Sequence, residues 1–119
     1  MKLGDLEVYR SAREIERCAW RLYELLHWND RKIVGDQWMR AIDSVGANIA
    51  EGFGRYHYLD KNKFNYNARG SLMEALHWSD VLRERKKISD KDFHQLLAQL
   101  QKLLHQLNNY IRITKSQVT

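Results

Sequence analysis

Two Glu-x-x-His pairs come closest to a metal-binding pattern in this sequence. Glu24 precedes His27, and Glu74 precedes His77, by three positions, a spacing that places both side chains on one helix face and that di-iron bundles use. Such a site also needs a carboxylate from each of two other helices, and no acidic residue follows Asp92 in the last predicted helix. The two pairs also differ in height by about 15 Å, at a rise of ~1.5 Å per residue. We therefore expect no metal site and no cofactor.

Nucleophilic catalysis has equally little support. Cys18 is the single cysteine, which excludes an intramolecular disulfide and a cysteine-based zinc site, and an apolar helix flank usually leaves a thiol inert. Ser71 and Ser79 lie within a predicted helix without a positioned base. Gly52-Phe53-Gly54 ends a predicted helix, whereas a phosphate-binding loop follows a strand and begins a helix. We expect no catalytic residue and no enzymatic activity.

The elements that would position any functional side chain are predicted to be helical. The 119 residues include no proline and only six glycines, which favours long uninterrupted helices, and the length fits one domain. No segment approaches the ~18 apolar residues that cross a bilayer, and the N-terminus does not resemble a secretion signal. We expect a cytoplasmic protein with a single domain over residues 1–119.

Apolar residues at alternating spacings of three and four predict four helices, over residues 5–28, 36–53, 60–87 and 89–113. Asp5 and Ser89 are the expected N-caps of the first and last helices, and the residues after Ile113 are expected to fray. The connections are short, so neighbouring helices are expected to run antiparallel. The predicted fold is all-α, an up-down-up-down four-helix bundle.

A second set of apolar residues lies away from the predicted core face of two helices. Rings that lie flat against the protein's own surface are one explanation, but two separate apolar stripes favour self-association, since aromatic residues and methionine are enriched at interface centres. If the stripes lie on different sides of the bundle, the copies should close into a ring. The predicted interface residues are Tyr9, Trp20, Tyr23, Tyr66, Gly70, Met73, His77 and Val81.

A polar stripe follows one flank of the second helix and faces possible partners on the third. Antiparallel helices would place Arg40 beside Glu74 as an ion pair, with Asn48 and Glu51 bonded to the backbone or to Arg69. Such groups form either a structural network that fixes helix register or a ligand or catalytic site. The network favoured here comprises Arg40, Ser44, Asn48, Glu51, Arg55, Arg69 and Glu74.

The segment Asn-Ile-Ala-Glu-Gly-Phe-Gly-Arg, residues 48–55, has a recognisable pattern. With Arg40-Ala41, Ser44-Val45, Ala68-Arg69-Gly70-Ser71 and Glu74, and with Asp5-Leu6-Glu7-Val8 at the start, it resembles a bacterial four-helix-bundle family. That family is named for proteins encoded in intervening sequences of 23S rRNA genes and was formerly labelled a ribosomal protein. The resemblance covers almost the whole chain.

This resemblance implies a cytosolic antiparallel bundle that tends to assemble as a homopentameric barrel. Relatives include the accessory variability determinant of diversity-generating retroelements, a basic pentamer that binds nucleic acid and a reverse transcriptase; for most members the biochemical role is unknown. The sequence departs from the family in having Gly46 where proline is frequent, and Asn29-Asp30-Arg31-Lys32 where the link often contains proline. Any surface built at the start of the second helix is therefore less transferable.

The positive charge is unevenly distributed along the chain. The formal net charge is +5, and all of this excess comes from residues 60–119. An antiparallel bundle would gather six cations at one end, a pattern typical of phosphate contacts without sequence reading. Basic residues also suit a helix C-terminus without any ligand. The candidate nucleic-acid-binding residues are Arg31, Lys32, Arg83, Arg85, Lys86 and Lys87.

Together these features predict a non-enzymatic homo-oligomer, pentameric by resemblance, that binds RNA or DNA without sequence specificity through its basic end. The first alternative is a scaffold that docks an acidic protein partner. The second is a metal-dependent oxidoreductase, which elemental analysis would detect. A steep loss of nucleic-acid affinity between about 50 and 200 mM salt separates the first two hypotheses.

Overall fold

The computed structural model describes residues 1–117, and within them the fold is all-α with no strand. The four predicted helices are present: α1 (Glu7–Leu25), α2 (Asp36–Phe53), α3 (Tyr58–Glu84) and α4 (Asp90–Ser116). Helix α4 continues past the predicted end at 113, and Thr114 is buried. Residues 118 and 119, which belong to the segment expected to fray, lie outside the described residues.

The first helix is shorter than predicted at both ends. Asp5 is not its N-cap; this residue closes a 3-10 turn, Leu3–Asp5, and its carboxylate accepts a hydrogen bond from the Lys2 amide at 3.0 Å. At the other end α1 stops at Leu25 and not at position 28. Leu26 there has an extended backbone, so the chain leaves the helix.

A π-helical segment leads into α2 and was not predicted. One helical turn, Trp28–Asp30, is followed by Arg31–Gly35 in π geometry and then without interruption by α2. Gly35 is buried against α1, where a Cβ would lie 3.0 Å from Leu26 Cδ1. The Tyr23 hydroxyl donates to Asp36 Oδ1 at 2.5 Å, which joins the last turns of α1 to the first turn of α2.

Helix α3 ends at Glu84 and not at position 87, because Lys86 adopts a left-handed backbone with φ of 59°. The Lys86 amide donates to the Arg83 carbonyl at 2.9 Å, and the Lys87 amide donates to the Leu82 carbonyl at 2.8 Å. This pair of bonds is a Schellman motif, which glycine usually completes. The lysine at this position gave no sequence signal for the helix end.

One hydrophobic cluster runs through the bundle and receives side chains from all four helices. As the residue number increases along α2, the number of the α3 residue that it contacts decreases. Trp38 contacts Ser79, Ser44 contacts Ser71, and Gly52 lies against Asn65. Among the described residues, no helix is long and apolar enough to cross a membrane. The largest fully buried apolar side chains are Trp38, Ile42, Ile49, Leu72, Leu82, Leu96, Leu100, Leu103 and Leu107.

Candidate nucleic-acid interface

The two predicted cationic segments meet at one end of the bundle. Lys87 Nζ lies 3.4 Å from Asp30 Oδ1, which joins the chain after α3 to the turn before α2. The six cations predicted to bind nucleic acid all lie in these two segments. We call this region, residues 27–36 and 80–92, the Arg31 end.

The Arg31 side chain is hydrogen-bonded to the backbone at the end of α1. Its Nε donates to the Leu26 carbonyl at 3.1 Å, and an Nη donates to the Glu24 carbonyl at 2.7 Å. The guanidinium also lies over the Tyr23 ring, 5.0 Å from the centroid. A cation that satisfies the last carbonyls of a helix is stabilised there by the helix dipole, so Arg31 has a structural role.

Arg83 also makes contacts within the protein. Its guanidinium donates to Asp80 Oδ1 at 2.7 Å and lies over the Phe93 ring. Lys87 is paired with Asp30, as described above. In the described part of the chain, the side chains of the other three predicted cations make no hydrogen bond or ion pair, and all three are exposed. Of the six predicted cations, those available to a ligand are therefore Lys32, Arg85 and Lys86; Lys91, which was not predicted, is exposed at the same end.

The Arg31 end is nearly neutral when its acidic residues are included. Seven lysines and arginines share this region with six aspartates and glutamates. Two of these acids, Asp90 and Asp92, lie in the first turn of α4, directly after its N-cap Ser89. One copy of the chain therefore presents little net positive charge here.

The larger positive excess lies at the opposite end, which we call the Tyr56 end and define as residues 1–10, 51–63 and 106–117. Asn62 Nδ2 donates to the Ile111 carbonyl at 3.1 Å, and Gln106 Nε2 donates to Glu7 Oε1 at 2.7 Å. These contacts bring the three segments together. They contain seven lysines and arginines and four aspartates and glutamates.

Part of the predicted polar network is present between α2 and α3. The hydroxyls of Ser44 and Ser71 hydrogen-bond at 2.9 Å. Asn48 Nδ2 donates to the Ser44 carbonyl at 2.8 Å and to the Ser44 hydroxyl at 3.0 Å. Asn48 thus bonds to the backbone, as the sequence predicted, and the group joins two helices without enclosing a cavity.

Two predicted contacts of this network are wrong. Arg40 and Glu74 make no ion pair with each other; both are exposed, where such a pair contributes at most about 1 kcal/mol and does not fix side-chain rotamers. Glu51 pairs with Arg55, one turn further along the chain, with Oε1 and the guanidinium 2.6 Å apart. Glu51 loses less side-chain entropy when it pairs with Arg55, four residues along the chain, than it would in a pair with Arg69 on another helix.

Arg69 connects α3 to α4. Its guanidinium donates to Asn108 Oδ1 at 3.0 Å and lies over the Tyr66 ring at 4.9 Å from the centroid. The residues of the predicted network therefore form three separate local contacts, on α2, between α2 and α3, and between α3 and α4. These contacts agree with the structural role favoured from the sequence, but as separate pairs and not as one network.

The octad at residues 48–55 builds the corner between α2 and α3. A Cβ on Gly52 would lie 3.0 Å from the Lys61 carbonyl and 3.1 Å from Phe64 Cβ, so glycine permits this close approach. Arg55 extends over the Phe64 ring at 4.8 Å. The glycine and the arginine of the octad thus have a packing explanation, and neither needs a ligand.

The predicted oligomer-interface residues divide into two groups in the single chain. Tyr66, Gly70, Met73 and His77 are exposed along one side of α3, and Trp20 is exposed on α1. Trp20 stacks on Tyr23 with ring centroids 5.1 Å apart. The remaining members, Tyr9, Tyr23 and Val81, are partly buried against the core.

Two neighbouring carboxylates lie on α1 and α2: Glu16, which is half-buried, and Asp43, which is more exposed. Burial raises the pKa of Glu16, an effect that Arg13 opposes and Asp43 reinforces. Burial also raises the pKa of Asp43. The thiol of Cys18 is buried as well, and burial raises its pKa, which fits an unreactive cysteine. No group of three potential metal ligands occurs among residues 1–117.

Comparison with known proteins places this fold in a family. The family model described as 23S rRNA-intervening sequence protein matches residues 4–109, which is most of the chain. The chain belongs to this family. The match includes the octad at residues 48–55 and so agrees with the resemblance found in the sequence.

A solved structure of a related helical fold is similar to this chain. It is a protein of unknown function from the S23 ribosomal protein family of Bacteroides thetaiotaomicron, determined at 1.70 Å, with a TM-score of 0.81 and 22% sequence identity. The alignment covers 87% of this chain and 97% of that chain. No curated protein matches the chain. At this identity the likeness shows the fold alone.

Proposed function

We propose that this chain is a non-enzymatic cytoplasmic protein, an antiparallel up-down-up-down bundle that assembles with copies of itself and binds RNA or DNA without sequence specificity. The proposed contact surface is the Arg31 end. The observation that supports it is the 3.4 Å contact between Lys87 and Asp30, since it gathers two separate cationic segments on one surface.

Lys32, Arg85 and Lys86 are the cations that would reach phosphates. Their side chains are exposed and unpaired within the described residues. Because the Arg31 end of one copy has little net charge, useful affinity requires several copies that present their free cations together. The family resemblance suggests five copies in a ring. Binding of this kind depends on phosphate charges and not on contacts with base edges. Its affinity therefore varies little with sequence and decreases as the salt concentration rises.

The test is a binding titration with labelled RNA and DNA at about 50 and 200 mM salt. The triple variant Lys32→Gln, Arg85→Gln, Lys86→Gln is expected to lose most of the affinity and to show a smaller salt dependence. A matched variant, Arg17→Gln, Arg40→Gln, Lys102→Gln, also removes three exposed positive charges but outside the Arg31 end. Equal losses in the two variants would show that net charge, and not this surface, determines binding.

A scaffold that docks an acidic protein partner is the second candidate function. The exposed cations Lys32, Arg85 and Lys86 favour it, since they suit pairing with the carboxylates of an acidic protein, and charge complementarity of this kind sets partner choice. No retention of RNA or DNA at about 50 mM salt, together with capture of an acidic partner that the Gln triple variant loses, would establish this candidate instead.

A further inference from the structure

The connection between α2 and α3 projects a run of aromatic side chains into solvent at the Tyr56 end. Tyr56 is 89% exposed, Leu59 is 73% exposed and Tyr58 is 41% exposed. His57 contacts Tyr56 edge-on, with ring centroids 5.1 Å apart. Single exposed apolar residues are ordinary on a protein surface. Here Tyr56 in the connection and Tyr58 and Leu59 in the first turn of α3, with His57 between them, form a patch that points to a binding role.

The residues on either side of this patch are held in place by contacts with the rest of the protein. Lys61 Nζ donates to the Phe53 carbonyl at 3.0 Å and lies above the Phe53 ring. Arg55 is held both by Glu51 and by the face of Phe64. The contacts on either side of the connection hold its two ends in place, which reduces the entropy that a ligand must overcome when it orders the aromatic residues.

The surroundings of the patch are positively charged. Seven lysines and arginines and four acids belong to the Tyr56 end, and this excess is larger than that at the Arg31 end. Lys63, in the first turns of α3, is exposed and makes no hydrogen bond or ion pair within residues 1–117. Arg112 and Lys115 add positive charge from the last turns of α4. Exposed rings within such a field suit a ligand with both anionic groups and flat faces.

We propose that Tyr56 and Tyr58 stack against the bases of single-stranded RNA or DNA, while Lys63 and its cationic neighbours contact the phosphates. Unpaired bases offer flat faces to aromatic side chains, whereas the bases of a duplex are already stacked on one another. The inference rests on the proposed function and adds a preference for single strands, at a surface distinct from the Arg31 end. Only Leu59 in the patch is aliphatic, so the composition favours ring stacking over insertion into a membrane.

The test compares a single strand of roughly 15 nucleotides, within the site sizes of stacking proteins, with an abasic phosphodiester of equal length and charge. We expect the abasic strand to bind about 10-fold more weakly to the natural protein, as loss of stacking on one or two bases predicts. Tyr56→Leu with Tyr58→Leu keeps apolar side chains but removes the ring faces, and it is expected to bind both strands equally. Tyr56→Phe with Tyr58→Phe keeps the rings and is expected to retain the preference.

Each other outcome has a distinct meaning. If the leucine variant still prefers the strand with bases by the same factor, nucleic-acid binding stands but stacking by these tyrosines is refuted. If the natural protein binds neither the strand with bases nor the abasic strand, the proposed function and this inference fail together. Binding to vesicles containing anionic lipid, with no preference between the two strands, would assign the patch to a membrane and overturn the inference. Because both tyrosines are exposed, circular dichroism should show all variants folded.

Discussion

The indole of Trp38 donates a hydrogen bond from Nε1 to the hydroxyl of Ser79 at 2.9 Å in the centre of the bundle. Both residues are buried. The same hydroxyl donates to the Ala75 carbonyl one turn earlier at 2.7 Å. A single serine therefore satisfies the one polar atom of the largest core side chain and fixes α2 against α3 at this height.

Replacement of Ser79 by alanine should destabilise the fold. The Trp38 indole N–H would remain buried without a partner, at a cost of about 1–3 kcal/mol in the free energy of unfolding. Denaturant unfolding of Ser79→Ala measures this loss. Ser71→Ala is the matched control, because its hydroxyl is only half-buried and water can take its place. A loss of equal size in the two variants would contradict the special role of the Trp38 bond.

Replacement of Lys86 by glycine should stabilise the protein. Lys86 has a φ of 59°, where a side chain costs roughly 1 kcal/mol that glycine avoids. We expect Lys86→Gly to raise the free energy of unfolding by about that amount. Lys86→Ala removes the same charge but keeps the strained backbone, so it should give no comparable gain. If alanine stabilises as much as glycine, the effect comes from charge and the backbone argument is wrong.

The corner between α2 and α3 should tolerate no side chain at Gly52. Backbone and Cβ atoms of α3 limit the space there, so Gly52→Ala is expected to cost about 1–3 kcal/mol through overpacking. Gly46→Ala is the comparison within the same helix. Its Cβ would clash with the carboxylate end of the flexible Glu16 side chain, which can turn towards solvent, and would lie at an ordinary contact distance of 3.6 Å from Ala12 Cβ. This variant should therefore be near neutral. Thermal unfolding that ranks Gly46→Ala below Gly52→Ala would disprove this account.

The sequence predicted the features of the fold that depend on local periodicity. All four expected helices are present in residues 1–117, in addition to the turn Trp28–Asp30 and the π-helical segment. Ser89 was expected to cap α4, and its hydroxyl accepts from the Asp92 amide at 3.1 Å. Helical periodicity and an N-cap are each defined by residues close together in the sequence, so neither depends on tertiary contacts. The end of α3 was missed because its left-handed position carries Lys86, a residue that gives no such local signal.

The candidate site was predictable only in outline. Helix order and short connections were enough to predict that the 31–32 and 83–87 segments share an end. The hydrogen bonds from Arg31 to carbonyls at the end of α1 were not predictable, since Arg31 lies in the unexpected π-helical segment. The Arg40–Glu74 pair failed for a different reason: register can be estimated from the sequence, but an exposed ion pair is too weak to specify two long rotamers.

Stability should respond to pH through Glu16. Burial raises the pKa of this carboxyl in the folded state above its ordinary value of 4.5, so the folded protein binds the proton more tightly than the unfolded chain does. The contribution of Glu16 to the free energy of unfolding is therefore lowest above the raised pKa and increases as the pH falls below it.

Glu16→Gln removes this dependence and should be more stable than the natural protein at pH 7, with a difference that shrinks as the pH falls towards 4.5. Urea unfolding at several pH values measures the difference. Glu14→Gln, on the exposed side of the same helix, is the control. A Glu16→Gln variant less stable at pH 7 than the natural protein would mean that the 3.5 Å contact with Arg13 outweighs burial.

Self-association should depend on the exposed side of α3. Tyr66 and Met73 are about half exposed there, and Gly70 lies between them with nothing within 4 Å of an added Cβ. A charge in the centre of an apolar interface is left without water or a partner, so Met73→Asp should shift the protein from an oligomer to monomers in sedimentation velocity. Gly70→Leu should act in the same direction, because a larger side chain separates surfaces that a glycine lets approach.

The control is Leu25→Asp, which places the same charge on a strongly exposed apolar residue outside the predicted interface. It should leave the sedimentation coefficient unchanged, and all three variants should keep the helical circular dichroism of the parent. A natural protein that sediments as a monomer at micromolar concentration would refute self-association altogether. Dissociation by Leu25→Asp alone would instead place the interface at the C-terminal end of α1, and Tyr66 and Met73 would then need another explanation.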